Sequence, residues 1–285
     1  MKTKQRGSGW SIAFVYNLYR LFGYRFIYIL MYPVTFFYFL FATNVKHSLQ
    51  NYYQQIEQEF NLLVYFEHLR IFANCLVDRF ITKLTDEKYI FAYNDIAIPT
   101  RVLNDGCILL HSHFGGWAAS ANMAHIEKKI HIVMQEVLLE SIKKIENSKS
   151  CKHNIHIIDL NEGGISVSIK IANALLDNDI VAIMGDRVSN DNGKIALNFF
   201  GKPANFNKNP FQIAYKVNKP VLVYFIIFQS MKKYKVEYLV IELDKNIQEE
   251  EAVFEAMNRY VQKYEEVIRN YPNQWFNFYN FWENK

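Results

Sequence analysis

Residues 106–119 read GCILLHSHFGGWAA, and the reading of this stretch decides the fold. Cys107-Ile108-Leu109-Leu110 is a short apolar run, the pattern of a strand buried on both faces of a mostly parallel sheet. It ends in His111-Ser112-His113, after which Gly115-Gly116 lets the backbone turn tightly. From Trp117 onward (WAASANMAHIEKK) the chain is rich in Ala and Met and reads as a helix start. A strand running into a polar turn and then a helix is where open α/β folds place their chemistry, beyond the carboxyl ends of the strands. Imidazole accepts a proton near neutral pH, so His113 is a candidate general base. The competing reading is a loop histidine with a structural hydrogen bond.

Downstream, strands and helices alternate. HIVMQ (131–135) and HNIHIIDL (153–160) read as strands, with a helix over 136–149 between them and another over 165–177. IVAIMGDRVSNDNGK (180–194) is a buried-strand pattern ending in Gly185-Asp186-Arg187. Strands separated by helices imply right-handed crossovers and a parallel sheet. That topology gathers His113, Asp186 and Arg187 on one edge, although an Asp-Arg pair after a strand is also commonly a plain ion pair. Residues 195–215 combine a strand, a Gly-Lys-Pro turn and a helix start at Pro210. PVLVYFIIF (220–228) and KVEYLVIEL (235–243) alternate as a hairpin joined by QSMKKY. A helix follows at 249–270 with acidic residues in its first turn, where the helix dipole favours them. The terminal Tyr271–Trp282 stretch holds seven aromatic residues, suited to capping a core or lying against lipid. The expected fold is α/β, with a mixed, mostly parallel central sheet flanked by helices.

Upstream, Phe26 to Val45 carries no charge, and roughly 20 apolar residues span a bilayer as a helix. Lys2, Lys4, Arg6, Arg20 and Arg25 precede it. Either this helix spans, or Pro33 bends it into an element lying in the cytoplasmic leaflet with its cations on anionic headgroups. Residues 1–46 are therefore expected as membrane-associated helices and 47–285 as the α/β domain. Residues 47–60 read as a polar connecting helix and 61–84 as a helix with Arg70 and Arg79 among apolar residues. Each arginine either snorkels or pairs, or else receives an anionic group.

Bulk properties narrow the class. A net charge of +4 over 285 residues, without a basic block, argues against nucleic acid. Cys75, Cys107 and Cys151 are widely spaced and odd in number, which suggests a reducing compartment without a disulfide framework. The 23 Phe, 19 Tyr and 4 Trp favour membrane interfaces and greasy grooves. No G-x-S-x-G, G-x-G-x-x-G or P-loop occurs, which disfavours serine hydrolases and nucleotide enzymes. No His, Cys and carboxylate set has metal-ligand spacing.

Taken together, EHLRIFANCLVDRF (67–80), SHFGGW (112–117), GDR (185–187), NFFGKPANF (198–206) and NQWFNFYNFW (273–282) resemble the lysophospholipid acyltransferase superfamily, within it the lipid A biosynthesis (lauroyl/myristoyl-type) acyltransferases. The resemblance implies transfer of a fatty acyl chain from a thioester, acyl carrier protein or CoA, to a hydroxyl of a lipid or glycolipid, a lipid A-type acceptor foremost. It implies no cofactor, and places the active domain on the cytoplasmic side of a bacterial inner membrane. By this resemblance His113 is the base; Asp186 and Arg187, brought to the same sheet edge, are the further candidate catalytic residues, and Arg70, Gly115, Gly116 and Trp117 are candidate substrate-binding residues. The backbone N–H groups around Gly115-Gly116, with Arg187, would stabilise the oxyanion, and Arg70 would take a phosphate.

One position departs from the family pattern. A carboxylate is expected five residues after the motif histidine, to orient the imidazole. Here that position is Ala118, and counting from His111 reaches Gly116. Three explanations stand open: another carboxylate such as Asp186 or Glu127 fills the role, a backbone carbonyl fixes the tautomer, or the chain is a degenerate homologue that binds lipid as a scaffold.

Overall fold

The computed structural model describes residues 9–85, 88–117, 128–134, 155–188 and 191–282. The helices expected after Trp117 and over 136–149 lie outside them, as do Ala118, Glu127 and Cys151. The described strands are β1 (Ile90–Tyr93), β2 (Ile108–His111), β3 (Ile130–Met134), β4 (Ile155–Asp159), β5 (Ile180–Met184), β6 (Lys194–Phe199), β7 (Lys202–Asn207), β8 (Val221–Ser230) and β9 (Lys233–Ile241). The described helices are α1 (Gly9–Phe41), α2 (Thr43–Gln55), α3 (Leu62–Leu84), α4 (Ala97–Asn104), α5 (Gly164–Leu176), α6 (Asn209–Val217) and α7 (Glu249–Asn270).

Seven strands form one sheet in the order β1-β9-β8-β2-β5-β3-β4. Every neighbouring pair runs parallel except β8 and β9, which form the expected hairpin. The central strand β2 is buried at all four positions because helices cover both faces of the sheet. Ile108 and Leu110 face the core built by α5, α6 and α7, whereas Cys107 and Leu109 face α4 and the middle of α3. Period-two alternation thus divides one apolar run between two cores. Both faces being dry leaves the carboxyl edge as the place where polar groups meet solvent.

Two expectations are corrected here. The stretch 195–215 holds two strands rather than one: β6 and β7 form a separate antiparallel ribbon, with Phe200 and Gly201 between them at φ 52° and 79°. Both turn residues at positive φ give the twist a two-residue hairpin requires. Pro203 enters β7 without cost because that strand is an edge. Second, α1 runs through Pro33 and breaks instead at Gly23, whose φ of 76° and ψ of 179° are non-helical. The uncharged run also divides at Ala42, between α1 and α2. On α1, Ile27, Met31 and Thr35 recur at helical spacing and are buried where the helix packs on α3. Leu21, Phe22, Ile29, Phe36, Phe37 and Phe41 are exposed. The segment Phe14–Phe41 is long and apolar enough to cross a membrane. At the other terminus Trp275, Phe276 and Phe281 are buried, so the aromatic tail caps the core.

Candidate active site

The register of β2 against β5 builds the site. His111 lies opposite Met184 in this parallel pair, so the residues two beyond each strand, His113 and Asp186, emerge side by side. His113 Nδ1 and Asp186 Oδ1 are 2.9 Å apart, and the His113 backbone N–H donates to Asp186 Oδ2 at 2.8 Å. Asp186 is fully buried, while His113 keeps 22% of its side chain exposed. Asn277 Nδ2 donates to Asp186 Oδ2 at 3.2 Å, and the Tyr264 hydroxyl does so at 3.4 Å. Burial alone would raise the Asp186 carboxyl, but attraction to and hydrogen bonds from His113, with the Arg187 charge beside it, hold it below the ordinary aspartate value. An ionised carboxylate only accepts, so Nδ1 carries the proton toward Asp186 and Nε2 is left as the basic nitrogen. The neighbouring histidine is unsuited to that task. His111 is buried and desolvation lowers its pKa to about 4, which keeps it neutral inside the strand end.

The turn after β2 is held by the tail and by β8. Gly115 N–H donates to Gln274 O at 2.8 Å, Gly116 N–H to Ile226 O at 2.7 Å, and Phe276 N–H to His113 O at 2.8 Å. These bonds correct the oxyanion assignment: the Gly115 and Gly116 N–H groups are already spent on carbonyls. The glycines serve close approach instead. A Cβ on Gly115, which sits at φ 54°, would lie 2.0 Å from Ile226 O, and one on Gly116 would lie 2.2 Å from Tyr234 Cε1.

Trp117 stands with its ring centroid 6.1 Å from that of His113, and the Arg79 guanidinium lies over the Trp117 ring at 5.3 Å. Arg187 Nε and Nη2 donate to Asn277 Oδ1 at 3.2 and 2.9 Å, and its guanidinium lies over the Tyr279 ring. One amide therefore joins Asp186 and Arg187. Arg70 is drawn elsewhere. Its Nε donates to Glu67 at 2.7 Å, its Nη1 to the Tyr28 hydroxyl at 3.2 Å, and it lies over the Tyr32 ring. The fork expected to receive a phosphate is thus occupied in tying α3 to α1. Asn277 and Tyr264 are the site residues that sequence reasoning did not single out. Asn277 lay inside the NQWFNFYNFW motif, whereas Tyr264 is aimed at Asp186 only by the buried face of α7.

A histidine–carboxylate pair at the carboxyl edge of a mostly parallel sheet, with only the histidine reaching solvent, defines a class of α/β enzymes that can activate a hydroxyl. Residues 95–284 match the family model for the bacterial lipid A biosynthesis acyltransferases. The chain belongs to that family and is an acyltransferase acting on lipids. Among solved structures it is similar to the 1-acyl-sn-glycerophosphate (LPA) acyltransferase PlsC from Thermotoga maritima, at 11% identity and a TM-score of 0.39 over 85% of this chain and 97% of that one. No curated protein matches the chain.

Proposed function

We propose that the protein transfers a fatty acyl chain from a thioester, of acyl carrier protein or CoA, to a hydroxyl of a membrane lipid or glycolipid, with a lipid A-type acceptor foremost. His113 Nε2 takes the hydroxyl proton as the oxygen attacks the thioester carbonyl carbon. The carbon–sulfur bond then breaks and the thiolate leaves with the proton from His113. Asp186 fixes the tautomer and offsets the charge of the imidazolium, the part an acid plays in a Ser-His-Asp triad. Arg187, held in place by Asn277, is assigned to the oxyanion. Trp117 lines the approach to His113. The observation that carries this reading is the 2.9 Å contact of His113 Nδ1 with Asp186, a carboxylate supplied from β5 in place of the one absent at position 118.

The exposed aromatic face of α1 supports attachment to a membrane, where acceptor tails lie beside the sheet edge. A carrier-protein thioester is made in the cytoplasm, so this reading puts the α/β domain on the cytoplasmic side of the inner membrane. Mass spectrometry of membrane lipids tests it, with cells making the wild type, His113→Ala or no protein. One lipid should gain an acyl mass with the wild type alone. Identical profiles for wild type and His113→Ala would overturn the assignment and favour a lipid-binding scaffold.

A further inference from the structure

Away from His113, a second buried aspartate joins three parts of the chain. Asp78 of α3 is fully buried, and its Oδ1 accepts from the hydroxyls of Tyr24 and Tyr89 while its Oδ2 accepts from that of Tyr234. Tyr24 belongs to α1 and directly follows Gly23, where that helix breaks. Tyr89 precedes β1, and Tyr234 lies in β9. The Tyr234 ring is the surface against which Gly116 rests, at a distance that admits no side chain on the glycine. Gly116 in turn follows His113 by three residues in a turn pinned to Ile226 and Gln274.

A buried carboxylate is costly unless hydrogen-bonded, and well-packed apolar residues often serve a core as well or better. Three hydroxyls converging on one carboxylate therefore call for an explanation beyond packing. The two ends of this connection are the lipid-facing helix and the turn that carries the base.

We propose that Asp78 is a positioning residue: through Tyr234 it sets the Gly115-Gly116 turn under His113, and through Tyr24 it ties that turn to the seating of α1 on the membrane. The proposal rests on the acyl-transfer reading above. A side chain that acts through a shared carboxylate loses its effect when a single hydroxyl is removed, even though the ring and its packing stay. Tyr234→Phe and Tyr24→Phe make that change at the two ends, and Asp78→Asn makes it at the centre.

The test uses the full-length chain in detergent micelles and in cells. Histidine labelled with ¹⁵N gives the proton resonance of the His113 Nδ1–H···Asp186 bond, identified by its absence in His113→Ala. Both Phe variants should shift or broaden this resonance and lower the acylated-lipid product roughly tenfold, the scale of one hydrogen bond to a charged group. A merely structural cluster would instead lower thermal stability and leave the resonance in place. An unchanged resonance in both Phe variants, with product lost in His113→Ala, overturns the connection and leaves acyl transfer standing. A resonance that moves while His113→Ala makes wild-type product overturns acyl transfer, and with it the positioning role.

Discussion

Two aspartates in this protein are equally buried and behave in opposite ways. Asp186 faces a histidine and lies near an arginine, and its carboxyl is held below the ordinary value. Asp78 faces three tyrosine hydroxyls; burial pushes its carboxyl from 3.8 up to about 6, against the hydrogen bonds of Tyr234, Tyr24 and Tyr89 and the charge of Lys232. Burial penalises both charges alike, so the sign follows from the partner. At Asp186 the attraction and hydrogen bonds of His113, with Arg187, outweigh desolvation, whereas at Asp78 the three hydroxyls and the Lys232 charge only soften it. The active-site carboxylate is thereby kept ionised, the state in which it can hold an imidazole. The carboxylate of α3 stays close to its own titration, held by shape and hydrogen bonds.

Asp186→Asn breaks the comparison most severely. The amide cannot accept on both oxygens as the carboxylate does, and it favours the wrong imidazole tautomer. Acyl transfer should fall by about 10⁴, the loss seen when a triad acid becomes an amide. Turnover of an acyl thioester with the acceptor that lipid mass spectrometry identifies would measure it. A drop of less than tenfold would remove Asp186 from the mechanism.

The pH dependence of folding sharpens the contrast without any substrate. Asp78 holds its proton more tightly folded than unfolded, so its contribution to stability falls as pH rises from 3.8 through about 6. Across that window the change is about 3 kcal/mol, from the shift of roughly two units. Asp186 has the opposite sign: its contribution is present above the ordinary aspartate value and is lost as pH falls through its depressed folded value. Urea midpoints at about pH 4 and about pH 7 should therefore differ less in Asp78→Asn than in the wild type. If Asp78→Asn left the wild-type difference unchanged, the raised carboxyl would lie elsewhere.

Much of this was legible in the chain. The apolar runs that became β2, β5 and β8 are long enough and bounded sharply enough by Gly, His and Asp to be read as strands, and the helix at Glu249–Asn270 announces itself by period and acidic first turn. That His113 and Asp186 share an edge also follows from strand–helix alternation. Their contact does not. It requires β2 and β5 to be neighbours, and β3 and β4 lie between them in the chain. Strand order is a property of packing, to which local pattern is blind. The oxyanion assignment failed for a related reason, since a Gly-Gly turn looks the same in sequence whether its N–H groups are free or bonded to Gln274 and Ile226. Pro33 pointed to a break that Gly23 made, because a proline ring is tolerated where the helix can bend around it and a φ of 76° is not helical for any residue. β1 and α4, over residues 90–104, gave no periodic signal strong enough to read.

Asn277→Ala tests how Asp186 and Arg187 are joined. Its amide donates to the Asp186 carboxylate and accepts from the Arg187 guanidinium, bridging two side chains that are neighbours in the chain. Losing it removes one donor from an already buried carboxylate and frees the guanidinium from its seat, so turnover should fall about tenfold while the acceptor KM changes little. Equal losses in turnover and in acceptor binding would mean that Arg187 contacts the ground-state lipid instead of the oxyanion.

The smallest effect belongs to Arg70, whose charge is paired in the manner of neither aspartate. Its partner Glu67 is 40% exposed, and the two lie one turn apart on α3. Water screens such a pair, and measured values for exposed ion pairs are about 0.2–1 kcal/mol. Arg70→Gln keeps most of the stem over the Tyr32 ring and a hydrogen-bonding end near the Tyr28 hydroxyl, so the urea midpoint should move by less than about 1 kcal/mol. A loss of about 3 kcal/mol or more would place the guanidinium with the buried charges. The α1–α3 seam would then depend on Arg70 as strongly as on Asp78, and the division between a charge that positions and a charge whose partner is screened by water would have to be redrawn.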